Sequence, residues 1–347
     1  MEDEINIVKE ELTSELTGLN KGDKSRRMKW IIGLSIGVGL LLIAAIIIII
    51  VVATRGDDKE EQDNKGKEEE DDDLNKEIIG EIDCIYEVEN KNIILFGEEF
   101  KKGNSDFGVY IDGEKKKYSR EYQFSSLGVH KVQLKLYSDI DMNYMFKNIK
   151  ELTSVNMTSE ENCKITSMIS SFENCENLKF FNLTGFKADQ LISMKKLFYK
   201  SGLEEFYISS FDTIALKDIS YMFAYTYISS FSFNDLNTKE ITDMSHLFEK
   251  CSSLLSIDME GIDTSKVKDI SYMFKSCISI DSLNFSNFDT SQIINMSSLF
   301  QECISLKELN LNFDTKNVED MSFMFDDCSA LIYLDISSFI TNKVKDM

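Results

Sequence analysis

The sequence contains no proline and has only two histidines and one tryptophan among its 347 residues. At an average usage of about 5%, roughly 17 prolines would be expected in a chain of this length. Rigid proline-rich spacers are therefore excluded. The scarcity of histidine leaves little material for general acid–base catalysis. His130 and His246 are far apart in the sequence, and each is interpreted as a structural side chain.

The sequence also lacks the short motifs of common catalytic and nucleotide-binding sites: the phosphate-binding loop, GxGxxG, HExxH and GxSxG. It therefore predicts a protein that is not an enzyme, with no catalytic residue, no metal site and no cofactor. The formal net charge of −22 disfavours a nucleic acid partner, because binding to phosphates requires clustered lysine and arginine in excess.

One long stretch has no charge: residues 31–53 contain no acidic or basic side chain and include the run IIIIIVV. As a helix rising 1.5 Å per residue, this stretch spans about 34 Å, enough for a bilayer core of about 30 Å. A cleaved signal peptide is the alternative, but its apolar region is usually only about 7 to 15 residues long and begins nearer the N-terminus. We therefore predict an uncleaved transmembrane helix over residues 30–54.

Basic residues precede this segment at five positions: Lys21, Lys24, Arg26, Arg27 and Lys29. Because basic residues stay on the cytoplasmic side, we expect residues 1–29 to be a short cytoplasmic tail. Everything after the helix is then outside, and the protein lies in the plasma membrane. Gly33 and Gly37 form a GxxxG pair through which two helices can approach as a homodimer. The alternative interpretation is that these glycines have no such role, because glycine is common in membrane helices.

Two segments separate the membrane helix from the rest of the chain. Residues 55–77 are rich in Asp, Glu and Lys with almost no apolar side chain, which predicts an acidic disordered linker. Residues 78–140 show β-type segments, with Asp112 and Gly113 as a hairpin signal and VQLKLY alternating apolar and polar positions. We predict a small β-rich module that caps the first core face of the C-terminal part of the chain.

A short sequence motif recurs through the remaining chain. Its marker is a phenylalanine that usually follows Met or Leu and returns every 25 or 26 residues, at Phe146, Phe172, Phe198, Phe223, Phe248, Phe274, Phe300 and Phe325. A Met or Ile stands four residues before each marker, and a Cys stands three residues after five of them. This register predicts about eight repeats over residues 141–347.

Each repeat has two halves with different periods. In DTSKVKDISYMFKSC, four apolar positions fall at helical spacing: Val267, Ile270, Phe274 and Cys277. With Thr264 or Ser265 as the N-cap, this half is predicted to be a short amphipathic helix. The other half, CISLKELNL, has the form LxxLxL and ends in the alternation of a strand.

One short helix and one short strand cannot bury both of their apolar faces alone. Stacking the repeats solves this problem, because each copy then packs against its neighbour and successive strands pair in parallel about 4.8 Å apart. The predicted fold is therefore an α/β solenoid of helix–strand repeats, preceded by the β-rich module and one transmembrane helix.

The repeats resemble the leucine-rich repeats called BspA-like, specifically the 26-residue surface-protein repeat of bacteria and microbial eukaryotes. The resemblance rests on FDTSQIINMSSLFQECISLKELNL at residues 288–311 and its counterparts at 263–285 and 313–336. It covers about 60% of the chain. The resemblance implies a solenoid displayed at the cell surface for adhesion or protein binding, with no catalytic residue and no particular ligand. The N-terminal membrane anchor, in place of a signal peptide or lipid, departs from that family's pattern.

In the strand halves, the side chains between the apolar positions point outward, and stacking is expected to align them in a polar, acidic strip. This polar strip is the predicted binding face: Asp258, Glu260, Asn284, Ser286, Asn310, Asn312, Asp335 and Ser337. A role in solubility alone is the other interpretation. Four sequons are N-glycosylation acceptors if the host glycosylates: Asn156, Asn182, Asn284 and Asn295. Sugars on Asn182 and Asn284 would compete with a protein ligand.

The seven cysteines do not follow the CxxC spacing of zinc sites. Four of them occupy equivalent repeat positions and are expected to stack as a ladder of buried thiols: Cys251, Cys277, Cys303 and Cys328. Disulfides between neighbours are the rival interpretation, although parallel side chains in a stack fit disulfide geometry poorly. Whether Cys84 pairs with Cys163 stays open.

Together these features predict a single-pass plasma-membrane protein whose extracellular solenoid binds a protein, cell-surface or matrix ligand. The alternative is a surface receptor that signals through residues 1–29, with Gly33 and Gly37 bringing two helices together. The last residues, VKDM, begin another copy of the repeated motif. We therefore expect either that the C-terminus is truncated or that the last repeat is an irregular terminal unit.

Overall fold

The computed structural model describes residues 76–103, 105–160 and 163–347. The predicted tail (1–29), the predicted transmembrane helix (30–54) and all of the predicted linker (55–77) except its last two residues lie outside these ranges. Among the residues that are described, no helix is long and apolar enough to cross a bilayer.

Strands and turns, with no helix, make up the regular structure of the described residues. The first six strands belong to the predicted β-rich module: β1 (Gly80–Val88), β2 (Asn92–Ile94), β3 (Phe107–Ile111), β4 (Glu114–Lys116), β5 (Glu121–Gln123) and β6 (Gly128–Leu136). The others belong to the repeats: β7 (Ile140–Asp141), β8 (Leu152–Ser159), β9 (Ile165–Ser167), β10 (Phe180–Thr184), β11 (Glu205–Ser209), β12 (Ser230–Ser232), β13 (Ser256–Asp258), β14 (Glu308–Asn310) and β15 (Tyr333–Asp335).

The β-rich module is an antiparallel sheet. Strand β1 pairs with β6, and β3 pairs with β6 on its other side. Strands β3 and β4 form the predicted hairpin, with Asp112 (φ 50°) and Gly113 (φ 87°) at its turn. The left-handed backbone at both residues is what a two-residue hairpin turn requires, so the Asp-Gly signal is confirmed.

The sheet of the module continues directly into the repeats. Strand β1 pairs antiparallel with β8, and β8 pairs in parallel with β10, giving the seven-stranded order β11-β10-β8-β1-β6-β3-β4. Phe96 of the module also stacks on Phe146, the first marker phenylalanine, with ring centroids 6.2 Å apart. The module therefore covers the first core face of the stack, as capping requires.

The repeats stack as coils of a solenoid, which we number 1 to 8 by their marker phenylalanine. Strands of neighbouring coils pair in parallel: β10 with β11, β12 with β13, and β14 with β15. A second row of parallel contacts precedes the other half of each coil, for example Asp218 with Asp243 and Asp243 with Asp269. The predicted stack is confirmed, and the predicted strand half is a strand in every coil except coil 6, which makes only the isolated bridge between Ser282 and Glu308.

The predicted helix half is wrong, because this segment is a chain of tight turns. In coil 6 the amide of Met273 donates to the carbonyl of Ile270 at 3.2 Å, an i→i−3 bond and not the i→i−4 bond of an α-helix. The amide of Tyr272, between them, donates instead to the carbonyl of Ser297 in coil 7 at 2.9 Å. Alternate amides therefore close turns or bridge coils, and the solenoid is a β-solenoid.

Two residues in each turn half have a left-handed backbone although neither is glycine. In coil 6 they are Tyr272 (φ 59°) and Ser276 (φ 56°), and the same pair of positions has a positive φ in all eight coils. This conformation costs a residue other than glycine about 1–2 kcal/mol. The coil-to-coil hydrogen bonds that it permits offset that cost.

The helical spacing nevertheless identified the correct inward side chains. The four predicted positions, Val267, Ile270, Phe274 and Cys277, are all fully buried, and so is Met273. Tandem turns place residues i, i+3, i+4 and i+7 on one side, as a helix does, so the apolar pattern alone does not separate the two structures. The eight marker phenylalanines form one continuous stack, with adjacent ring centroids 5.3–6.0 Å apart.

A ladder of cysteines runs beside the phenylalanines. All seven cysteines are free thiols, including Cys84 and Cys163, and all except the half-buried Cys328 are buried. In five coils the thiol donates to the carbonyl of the marker phenylalanine one coil earlier, at 2.9–3.1 Å. The expected ladder of free thiols is confirmed.

A ladder of buried threonines replaces the predicted N-caps. Thr264 is buried, its hydroxyl donates to the carbonyl of Asp289 in the next coil at 3.0 Å, and it accepts from the amide of Asp289 at 2.8 Å. Ser265 is exposed and donates to Asp263. Neither side chain caps a helix, and the threonine instead ties consecutive coils together.

Candidate binding surfaces

The structure brings the predicted polar strip together on one side of the last four coils. Asn310 and Asp335 face each other in the paired strands β14 and β15. Seven of the eight strip residues are exposed, and Asp335 is half-buried. In coils 5–7 the residues between them, Met259, Phe285 and Leu311, are buried, which is the alternation that the prediction assumed, whereas Ile336 in coil 8 is exposed.

Three members of the strip shape the backbone. The side-chain oxygens of Asp258, Asn284 and Asp335 each accept a hydrogen bond from the amide two residues later, at 3.0, 3.0 and 2.9 Å. These are Asx turns, which bend the chain as it leaves the strand. The bond from the Ser337 amide is the main reason why the pKa of Asp335 lies below its usual value. The spacing D/N-x-E/S was a visible sequence signal for this role.

The strip extends to earlier coils through side-chain hydrogen bonds. The amide group of Asn234 donates to Asp258 Oδ2 at 3.1 Å across neighbouring coils. Nearer the N-terminus, Asn182 on β10 donates through Nδ2 to Asn156 Oδ1 on β8 at 2.7 Å. A line of amide and carboxylate groups therefore follows the strands along the stack.

The four sequons differ in accessibility. Asn156, Asn182 and Asn295 are half-buried, and Asn284 is exposed. A glycan is attached at Nδ2, and this atom donates to a neighbour in Asn182 (to Asn156) and in Asn295, which reaches Asp269 at 3.4 Å. Asn284, on the polar strip, is therefore the most accessible acceptor of the four.

A second surface, which the sequence analysis did not identify, lies on the turn halves of coils 3–6. The imidazole of His246 is stacked between Tyr221 and Tyr272, with ring centroids at 4.0 and 4.4 Å and interplanar angles of 9° and 5°. Its Nδ1 lies 2.8 Å from the carboxylate of Glu249, which is buried beneath it. The three rings therefore form a fixed column along the stack.

Lysine ammonium groups lie over the tyrosine rings around this column. Lys196 lies 5.2 Å from the ring centroid of Tyr199, and Lys200 lies 5.1 Å from the same ring. Lys250 lies 5.0 Å from Tyr225, and Lys275 lies 5.5 Å from Tyr272. Each distance is within the range of a cation–π contact.

We call this region the tyrosine–lysine surface. Its rings are Tyr199, Tyr221, Tyr225, His246 and Tyr272, and its cations are Lys196, Lys200, Lys250 and Lys275. These residues stand at three positions relative to the marker phenylalanine: two before it, one after it and two after it. An alignment of the repeats on that marker would have shown that these tyrosines and lysines share the same positions in successive coils.

The other histidine holds a loop. His130 is buried, with Nδ1 2.6 Å from Asp112 Oδ2 and Nε2 3.1 Å from the carbonyl oxygen of Ser126. The hydroxyl of Ser126 is farther away, at 3.4 Å. The arrangement ties the β3–β4 turn to the loop before β6.

The fold and these surfaces define a repeat protein, a β-solenoid capped at its N-terminal end by an antiparallel sheet. The chain belongs to the family DUF285, described as a Mycoplasma protein of unknown function, whose profile matches residues 140–256 and 242–347. The two matches together span the repeats from β7 onward. No match was found among curated proteins or among solved structures.

Proposed function

We propose that this chain is a single-pass plasma-membrane protein, anchored by residues 30–54, whose solenoid lies outside the cell and binds a protein, cell-surface or matrix ligand without catalysing a reaction. The observation that carries the proposal is the alignment of outward polar side chains on successive coils, with Asn310 opposite Asp335 in paired strands. Such an alignment builds one extended surface out of many short repeats.

The rigidity of the polar strip supports a binding role. The backbone pairing of strands β14 and β15 fixes the positions of Asn310 and Asp335, the strip residues that lie on these strands. The Asx turns at Asp258 and Asp335 fix the backbone at the ends of β13 and β15, and the one at Asn284 fixes the equivalent backbone of coil 6. Association costs free energy when side chains and loops must be ordered, and a preorganised surface avoids part of that cost.

The chemistry of the strip favours a partner that donates hydrogen bonds and carries positive charge. Asp258, Glu260 and Asp335 contribute carboxylates, and Asn284, Asn310 and Asn312 contribute amide groups. In a chain with a net charge of −22, the surrounding field attracts basic partners and repels acidic ones. A basic patch on a protein of another cell or of the matrix fits both features.

The resemblance of residues 288–311 to BspA-like surface repeats supports the location outside the cell. Positive charge before residue 30 and the uncharged run after it support the anchor and its orientation. The turn halves, which are not helices, set these coils apart from leucine-rich repeats that pair each strand with a helix.

A binding experiment on cells that display the full chain tests the proposal. The variant Glu260→Gln/Ser286→Ala/Asn312→Ala removes three exposed side chains of the strip without touching an Asx-turn acceptor. We expect adhesion to immobilised matrix proteins or host cells to weaken roughly tenfold, which corresponds to about 1.4 kcal/mol. The control Lys268→Gln/Gln292→Ala alters two exposed residues elsewhere on the coils and should leave adhesion unchanged.

Two outcomes contradict the proposal. One is adhesion by wild-type cells that is no stronger than adhesion by cells lacking the protein. The other is full adhesion by the strip variant at equal surface display. Surface display itself is measured with an antibody against the repeats applied to unpermeabilised cells.

A further inference from the structure

We propose that the tyrosine–lysine surface is a second binding site, and that it binds an anionic polysaccharide. This inference rests on the proposed function only in requiring that the solenoid lie outside the cell. It concerns the turn halves of coils 3–6, whereas the polar strip lies on the strand halves of coils 5–8, so the two sites are tested independently.

The first observation is a local reversal of charge. In the part of the chain that the structure describes, none of the ammonium groups of Lys196, Lys200, Lys250 and Lys275 makes an ion pair. Elsewhere on the described solenoid some lysines are paired, as Lys266 is with Glu240, and others, such as Lys217 and Lys268, are not. Four unpaired cations on one patch give it a positive potential, although the net charge of the chain is −22.

The single carboxylate of the patch does not neutralise these cations. At the three surface positions of coils 3–6, Glu249 is the only acidic residue. It is buried, its Oε2 lies 2.8 Å from His246 Nδ1, and its Oε1 accepts from the Tyr225 hydroxyl at 3.5 Å. The surface ends at coils 7 and 8, where Glu302, Asp326 and Asp327 take the same positions.

The second observation is that the rings of Tyr221, His246 and Tyr272 stack face to face, so that their edges, and not their faces, point to solvent. Tyr221 and Tyr272 each have one face covered by His246 at 4.0 and 4.4 Å. Lys196 lies over the ring of Tyr221 as well, at 5.6 Å. Burial against its neighbours raises the pKa of the Tyr221 hydroxyl, so that this group stays a neutral donor and acceptor. Half-buried rings, hydroxyls and ammonium groups therefore form the surface.

This arrangement selects among anionic ligands. Single-stranded nucleic acids depend on stacking of bases against open aromatic faces. Here both faces of His246 and one face each of Tyr221 and Tyr272 are covered within the column, and lysines lie over Tyr221 and Tyr272. Lipid binding requires exposed apolar side chains, and none of the rings of this surface is among the exposed large hydrophobic residues. Hydroxyl-rich chains with carboxylate or sulfate groups match the mixture of phenol and ammonium groups.

The repeat of the solenoid also suits a polymer. Each of coils 3–6 contributes at least one of the lysines or tyrosine hydroxyls, and coils are spaced by about the 4.8 Å that separates paired strands. One sugar residue of an extended polysaccharide is of similar length. Successive anionic sugars can thus meet successive coils, so that weak contacts of each unit add along the chain.

Binding of a heparin oligosaccharide to the full-length chain in a nonionic detergent tests this inference. The variant Lys200→Gln/Lys250→Gln should weaken binding roughly tenfold, as expected for two lost charge contacts. The control variant Lys266→Gln/Lys307→Gln makes the same change in net charge on other faces and should change affinity less than about twofold. Thermal unfolding of each variant shows that the fold is retained.

Several outcomes overturn the inference: no binding of heparin, equal weakening by both double variants, or tighter binding of polyglutamate, single-stranded DNA or anionic vesicles than of heparin. The strip variant Glu260→Gln/Ser286→Ala/Asn312→Ala should bind heparin like the wild type. Loss of cell adhesion with intact heparin binding, or the reverse, therefore shows which of the two proposals fails.

Discussion

The thiol of Cys277 donates a hydrogen bond to the carbonyl oxygen of Phe248, one coil earlier, at 3.1 Å. Both residues are fully buried. The same carbonyl accepts from the amide of Cys251 at 3.0 Å, so the thiol supplies its second hydrogen bond, and one such bond contributes about 0.5–1.5 kcal/mol. The recurrence of cysteine at this position is explained by this bond, since the side chain is small, largely apolar and able to donate.

Removing this thiol should destabilise the solenoid. We expect Cys277→Ala to lower the free energy of unfolding by about 1–2 kcal/mol, because it leaves a small cavity and removes one of the two hydrogen bonds to the Phe248 carbonyl. Urea unfolding of the purified chain measures the change as a shift of the midpoint with an unchanged slope. Ile278→Ala is the control, since Ile278 is 40% exposed and should change little. Equal shifts for both variants would contradict the role of the bond.

The thiols should be unreactive in the folded chain. Burial raises the pKa of Cys251 and of Cys303 to about 12, and that of the half-buried Cys328 to about 11. At pH 8 we expect iodoacetamide to modify the native chain slowly and Cys328 first, because only the thiolate reacts. Mass spectrometry of the modified peptides, with and without guanidinium, checks the order. Rapid modification of Cys251 without denaturant would contradict it.

The same shifts predict loss of stability at alkaline pH. The folded pKa of each thiol lies above its unfolded value of about 8.5, so the unfolded chain releases these protons first as pH rises. The stabilisation is therefore complete below the unfolded pKa and is lost as pH rises towards about 12. Urea midpoints should fall over this range, and fall less for Cys277→Ala, which lacks one of the buried thiols. Midpoints that rise with pH would contradict the assignment.

The phenylalanine stack should carry a large share of the stability. Phe274 is fully buried between Phe248 and Phe300, at centroid distances of 5.9 and 6.0 Å. We expect Phe274→Ala to cost about 3–5 kcal/mol. Phe323→Ala is the matched control, because Phe323 is 62% exposed and should cost less than about 0.5 kcal/mol. Similar losses for the two variants would exclude the stack as the core.

Glycine substitutions distinguish the turns from a helix. Asp327 has φ 55°, and glycine adopts this backbone without the cost of about 1–2 kcal/mol that other residues bear. We expect Asp327→Gly to leave stability unchanged or raise it slightly, and Asp327→Val to lower it by about 1–2 kcal/mol. Asp326→Gly, one residue earlier with no positive φ, should lower it. In a helix, glycine would be destabilising at both positions.

Much of the fold could be predicted from the sequence because stacking imposes a period. The marker phenylalanines give the register, the LxxLxL half gives the strand, and the Asp112-Gly113 pair gives the hairpin. The helix was wrong because Ile270, Phe274 and Cys277 have the same spacing on tandem turns as on a helix. What separates the two structures is the destination of the alternate amides, and those bonds join residues about 25 positions apart.

The candidate sites show the same limit. The polar strip was predictable since alternation along one strand places Asn310 and Asn312 outside. The tyrosine–lysine surface was not, because Tyr221, His246 and Tyr272 meet only when three coils stack. Thr264 was predicted as a cap for a similar reason, because its true partner, Asp289, belongs to the following coil.

Labelling of intact cells with an impermeant amine reagent tests the central claim, that the repeats lie outside an anchored cell, most directly. The account predicts modification of lysines in residues 76–347 on intact cells, and modification of Lys9, Lys21 and Lys24 only after the cells are permeabilised. Modification of Lys9 on intact cells, with the repeat lysines protected until permeabilisation, would contradict it.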